Sequence, residues 1–287
     1  MNRLSNRTAL ALALLMAAPL AAHATEITAG TAEFITARDC VAGPTSVCDD
    51  VSPIVSSEYG GNGGAFSSAA TATFAGYGSA SGSVSLSGTI GAPVLHASAS
   101  SDADKRTNTN SVALQSYTYT GDTPTTRTFG GTLTYDQIET GFYPDNTGVY
   151  ALIDAFTLTA SAIDVGTTPD DNFNTLFDAD FSAEGYTEVA SMTFADTASN
   201  PAGSGTFGVD VPLAPGETIW LRVLLQTPAA NGSTTNASHT LITGWNDSTD
   251  LRPAVTSLPV PEPSPLALSG LGLAAIAVAA RRRRAPR

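Results

Sequence analysis

Apolar and polar residues alternate with a period of two along much of this chain. Phe207, Val209 and Val211 interleave with Thr206, Gly208 and Asp210, the pattern of a half-buried strand. Ile219, Leu221, Val223 and Leu225 line one face of the next segment, and Pro215-Gly216 predicts the turn between the two. Trp220, Arg222 and Gln226 fall on that segment's other face, which is therefore expected to be wet. Phe129, Gly131, Leu133 and Tyr135 alternate likewise, as do Ala190, Met192 and Phe194. Further strands are predicted over 69–74, 83–90, 94–100, 111–120, 150–160 and 239–243. A helical spacing occurs over 172–181, where Phe173, Leu176, Phe177 and Asp180 stand at i, i+3, i+4 and i+7. The Gly/Ser/Ala-rich stretch 60–91 reads as small-residue strands, because Val84, Leu86 and Ile90 alternate; 231–236 reads as a loop. Many short strands punctuated by turn residues predict an all-β fold, a single antiparallel β-sandwich or jelly-roll-like ectodomain. No repeat of fixed period is present, which argues against a solenoid.

The two ends follow different rules. Arg3 and Arg7 precede an apolar run over 9–20, and Ala22 and Ala24 supply the small residues of a signal-peptidase site, so the mature chain is expected to begin at Thr25. At the other end, Val260, Pro261, Glu262 and Pro263 precede an apolar run over 265–280, closed by Arg281, Arg282, Arg283 and Arg284. At about 1.5 Å per residue that run reaches roughly 24 Å, short of a hydrocarbon core near 30 Å but workable where arginines snorkel. The arginines mark the cytoplasmic side. The expected organisation is a signal peptide over 1–24, an ectodomain over 25–252, a linker over 253–259 and a tail over 260–287 with one transmembrane helix.

This tail resembles the PEP-CTERM sorting signal of Gram-negative bacteria. The resemblance implies recognition of Pro261, Glu262 and Pro263 by an exosortase, a membrane transpeptidase, with Arg281 to Arg284 as the stop-transfer cluster. It also implies passage through the inner membrane, anchoring by the C-terminal helix, and delivery to the cell surface or an exopolysaccharide layer.

Composition narrows the partners. The chain carries 26 acidic and 13 basic residues, a formal charge of −13. Arg3, Arg7, Arg281 to Arg284 and Arg287 lie in the ends, so the ectodomain is more acidic still. Such a surface repels nucleic acid. Cys40 and Cys48 both fall in the exported part and read as a disulfide.

Catalytic signals are weak. His96 and His239 remain after removal of the leader, with no Gly-x-Ser-x-Gly elbow and no His-Glu-x-x-His helix. No cofactor is expected, with Ca²⁺ as the candidate exception: Asp170, Asp171, Asn172, Asn174, Asp178 and Asp180 supply hard oxygens within a short span, though not at EF-hand spacing. Trp220 and Trp245 are candidate sugar-stacking residues. The leading expectation is a non-enzymatic surface or matrix protein, structural or adhesive and biofilm-associated. A carbohydrate- or ice-binding module is the second reading and a secreted hydrolase the third. Thr71/Thr73, Thr118/Thr120 and Thr132/Thr134 do not recur at a fixed period, which weighs against ice.

Overall fold

The computed structural model describes residues 25–40, 48–50, 54–60, 65–87, 90, 92–138, 148–159, 163–165, 185–196, 202–237 and 240–254. In chain order the strands are β1 (Thr25–Ile27), β2 (Ala29–Cys40), β3 (Cys48–Asp50), β4 (Ile54–Gly60), β5 (Phe66–Phe74), β6 (Gly78–Ser87), β7 (Ala92–Ser101) and β8 (Lys105–Tyr119). They continue as β9 (Thr125–Ile138), β10 (Val149–Thr157), β11 (Ile163–Val165), β12 (Thr187–Asp196), β13 (Ala202–Leu213), β14 (Thr218–Ala230), β15 (Thr234–Asn236), β16 (Leu241–Trp245) and β17 (Leu251–Pro253). Among the described residues no helix is long and apolar enough to cross a membrane. The signal peptide, the helical spacing over 172–181 and the apolar tail all lie outside the described residues.

Two antiparallel sheets form a sandwich. The eight-stranded sheet runs β12-β10-β14-β8-β2-β3, with β4 also on β2 and β17 also on β8. The seven-stranded sheet runs β13-β9-β15-β7-β6-β5, with β16 sharing the slot between β7 and β9. The main core lies between them. Ile219, Leu221, Val223 and Leu225 from β14 meet Phe129 and Leu133 from β9, and Phe207, Val209 and Val211 from β13. The period-two pattern therefore places these strands correctly. The turn at Pro215-Gly216, where Gly216 has φ 78°, carries the chain from one sheet to the other rather than closing a hairpin.

The wet face expected for β14 needs correction. Trp220 is 1 % exposed, because a third layer covers the outer side of the eight-stranded sheet at that end. That layer is the β1–β11 ladder, in which Ile27 pairs with Ile163. Both isoleucines pack with Val112, Leu114, Phe156 and Trp220. β8 is consequently apolar on both faces, and so is β2, whose alternation is hidden for that reason. The expected loop over 231–236 also differs: it is a turn at Asn231-Gly232 followed by β15.

The chain enters and leaves the sandwich at one point. Ser116 on β8 donates its backbone N–H to the Thr28 carbonyl at 3.0 Å, and its hydroxyl to the same oxygen at 2.8 Å. Its own carbonyl accepts from the Ala254 N–H at 2.9 Å. Nearby, the Arg127 guanidinium donates to the Asp247 carbonyl at 2.8 Å and to the Thr249 carbonyl, which holds the loop ahead of β17.

One carboxyl group sits inside the sandwich. Glu33 on β2 is fully buried, and Gly82 on β6 leaves it room: a Cβ there would meet Glu33 Oε2 at 2.1 Å. Ser111 Oγ lies 2.9 Å from Glu33 Oε2 and 3.0 Å from the His96 carbonyl oxygen. The single Ser111 hydroxyl hydrogen is shared between two acceptors, Glu33 Oε2 and the His96 carbonyl. Burial raises the Glu33 pKa well above its ordinary value, and the Ser111 bond opposes this only in part.

Two outcomes are expected. Leu133→Ala should cost about 2–5 kcal/mol in urea unfolding, whereas Ile242→Ala, at a site 59 % exposed, should cost under about 0.5 kcal/mol. Glu33 binds a proton in the folded state that the unfolded chain releases above about pH 4.3, so its contribution to stability falls as pH rises through and beyond that value. Glu33→Gln, which keeps an acceptor for Ser111 and carries no titrating proton, should therefore gain on wild type as pH rises from 4 to 8; parallel pH–stability curves would refute the assignment.

Candidate functional site

The outer face of the seven-stranded sheet is built from small hydroxyl residues. Ser67, Ala69, Thr71 and Thr73 on β5 point outward and are exposed, while Ser68, Ala70 and Ala72 point inward. Antiparallel register aligns these positions across strands. Thr73, Ser79, Ser100 and Thr234 form one row through β5, β6, β7 and β15. Thr71, Ser81, Ser98 and Asn236 form the next. Within the rows, the Ser81 and Ser98 hydroxyls are 2.8 Å apart, and those of Ser100 and Thr234 3.1 Å apart. Neighbouring strands are about 4.8 Å apart, and alternate residues along a strand about 6.7 Å, so the hydroxyls make a regular polar grid. A shallow depression of about 510 Å³ lies over it.

The grid continues into a glycine-floored trough. Gly208, Gly130 and Gly244 stand directly opposite one another on β13, β9 and β16. Gly130 is required there, since a Cβ would approach the Phe207 carbonyl oxygen to 2.5 Å; at Gly244 a Cβ would meet nothing within 4 Å. The trough encloses about 700 Å³, with Ile242, Thr132, Thr206 and Trp245 among its walls. The Thr132 and Thr206 hydroxyls are 3.4 Å apart. His96 sits on the same face, with Nδ1 3.1 Å from the Thr240 hydroxyl.

The candidate residues from the sequence separate. The Trp220 ring stacks on Phe156 with centroids 6.4 Å apart and shows no free face, so it cannot stack on a sugar. Trp245 is half-buried and packs edge-on against Tyr117 at 5.6 Å and Phe129 at 5.2 Å. The Asp170–Asp180 cluster, the sorting residues 260–263 and 281–284, His239, Ala22 and Ala24 lie outside the described residues. Thr25 opens β1 opposite Val165. The backbone ladder sets Cys40 opposite Cys48; their side chains lie outside the described residues. Among the described residues no three His, Cys, Asp or Glu side chains converge. Thr71, Thr73, Thr132 and Thr134 do share a face, an alignment carried by cross-strand register rather than by sequence period.

A second polar cluster went unseen in the sequence. Arg222 Nη2 lies 3.0 Å from Asp154 Oδ2, and the Tyr186 hydroxyl donates to the same oxygen at 3.3 Å. Asp154 is 2 % exposed. Burial raises its pKa, with Arg222 opposing and Glu188 adding to the rise. Asp154 and Arg222 are register partners on β10 and β14, beside Phe156 and Trp220. The cluster is closed, a pin for the outer layer rather than a reaction centre.

The molecule so described is a three-layered β-sandwich protein with one uncovered, hydroxyl-lined sheet face. Its tail is of a known kind: residues 259–284 match the PEP-CTERM protein-sorting motif. The motif implies export and membrane-anchored, exosortase-dependent sorting in Gram-negative bacteria. No curated protein matches the chain. A solved structure of carbohydrate-binding modules from the β-sandwich superfamily aligns over 74 % of this chain and 85 % of its own, with 11 % identity and a TM-score of 0.26. A likeness that thin bears on neither fold nor ligand.

Asp154→Ala should destabilise the protein by about 3–5 kcal/mol, because it leaves the Arg222 charge buried without its carboxylate. Replacing both with apolar residues, Asp154→Leu with Arg222→Met, should recover most of that loss in thermal melts.

Proposed function

We propose that this protein is a non-enzymatic, structural or adhesive component of the cell surface or extracellular matrix, whose seven-stranded sheet lies against polysaccharide. The carrying observation is the uncovered grid of serine and threonine hydroxyls, on a molecule whose other sheet is covered on its outer side at one end. Polysaccharide is a hydrated, hydroxyl-rich surface, and a grid of hydroxyls matches it with many individually weak hydrogen bonds. Ice is the poorer match, since serines in these rows lack the methyl groups that threonines would add. The sorting tail supports the location, and exosortase is the processing partner. Export into an oxidising compartment, together with the opposed Cys40 and Cys48 backbones, supports a disulfide between them. Alkylation without reductant should leave both cysteines unmodified.

Full-length protein in detergent should be retained on immobilised exopolysaccharide. Gly244→Tyr, which projects into open space, and Ser98→Tyr should each reduce retention by about tenfold or more with little change in melting temperature. Retention equal to wild type in both variants would remove the face from consideration. Separately, replacing Pro261-Glu262-Pro263 with three alanines should abolish tail processing in cells while membrane insertion persists.

A further inference from the structure

Among the described residues β5 ends the seven-stranded sheet, paired with β6 on one side and with no strand on the other. Its register with β6 runs from Phe66↔Leu86 to Phe74↔Gly78 without a shift, so the open edge is a straight one. In an antiparallel ladder the N–H and C=O of alternate residues turn toward opposite neighbours. The Ser67 N–H shows which set faces away from β6, because it donates to the Glu58 carboxylate at 2.5 Å. Ala69, Thr71 and Thr73 share that parity, and their side chains are exposed. Each offers one donor and one acceptor along the open edge.

The other sheet ends are blunted. β12 carries Glu188 and Asp196, and its ladder with β10 is broken by a register shift. β13 carries Asp210 and Pro212, while β3 and β4 carry Asp49, Asp50 and Glu58. Charge, proline and bulges are the usual protection against strand addition. β5 has none of them: between Phe66 and Phe74 every residue is serine, alanine or threonine. Glu58 closes the edge at Ser67 and leaves the next three outward residues open.

A second β5 fits those three residues about a two-fold axis. With Thr71 of each copy opposite the other, Ala69 meets Thr73 at both ends, which gives about six backbone hydrogen bonds at two per bonded pair. Each copy donates where the other accepts, as a two-fold contact requires. The membrane-anchored sorting that the tail motif implies also gathers copies in one plane, where like meets like. We infer that two copies of this chain pair edge to edge through β5, antiparallel about Thr71, so that their seven-stranded sheets run on as one. The pairing rests on backbone groups and stands whether or not the hydroxyl face binds polysaccharide.

Position 71 tests it in the full-length protein in detergent. Opposed residues of a bonded pair have Cα atoms about 5.5 Å apart, within disulfide range. Thr71→Cys should therefore oxidise to a dimer linked through position 71, at least about tenfold more than Thr132→Cys, an exposed threonine on β9 away from the edge. In sedimentation, Thr71→Lys and Thr71→Glu should each weaken self-association by at least about tenfold, since like charges then face each other across the axis. An equal mixture of the two should restore it. Melting temperatures should change little, because the Thr71 side chain is exposed. The inference is overturned if Thr71→Cys links no better than Thr132→Cys, or if mixing the charged variants restores nothing. Self-association unchanged in both charged variants also overturns it and assigns the contact to the tail, which every variant keeps. Wild type that stays monomeric overturns it too, leaving the edge to a strand from another protein.

Discussion

Burial on both faces of β8, and of β14 around Trp220, is the constraint around which the molecule is arranged. A strand in the middle of a sandwich needs one apolar face; these two carry a second, with Val112, Leu114 and Trp220 turned away from the main core. Left in water, that surface would forfeit roughly 1.5–3 kcal/mol for each large side chain. The short β1–β11 ladder, though only a few residues long, supplies the cover. Asp154 and Arg222 add a polar tie under the same layer. The seven-stranded sheet has no such outer apolar set, and its outward positions are free to be hydroxyls. The division of the two faces, one sealed and one open, follows from where the large apolar side chains were placed.

The interior itself is uneven. One half is filled by aromatic and branched side chains from β9, β13 and β14, and the other by Ala70, Ala72, Ala80, Ala99 and Ala229. Glu33 lies beside this small-residue half. Its carboxyl occupies volume that Gly82 vacates, and burial pushes its pKa well above the ordinary carboxylate value. A buried acid of this kind contributes to how the sheets are set against each other while costing stability at neutral pH.

Strands with one wet face were legible in the sequence: β13 and β9 alternate as expected, and even the low-complexity stretch over 60–91 forms β5 and β6. What was hidden has a common physical cause. β2 is buried on both sides, so Ala29, Ala32, Ile35 and Ala37 show no period of two. Trp220 alternates like a surface residue because the layer that covers it comes from residues far away in the chain. The hydroxyl grid exists only across strands, where Thr71 meets Ser81 and Ser81 meets Ser98, and no one-dimensional spacing records that. The tail is the reverse case. Its motif is contiguous and was readable outright.

Ser116 gathers the entry at Thr28 and the exit at Ala254 onto one spot of the central strand. From there to Arg106 the strand advances ten residues, about 34 Å at roughly 3.4 Å each. Because entry and exit share Ser116, a pull transmitted through Ala254 loads β8 at the end opposite Arg106 and meets the Thr28 bonds at once.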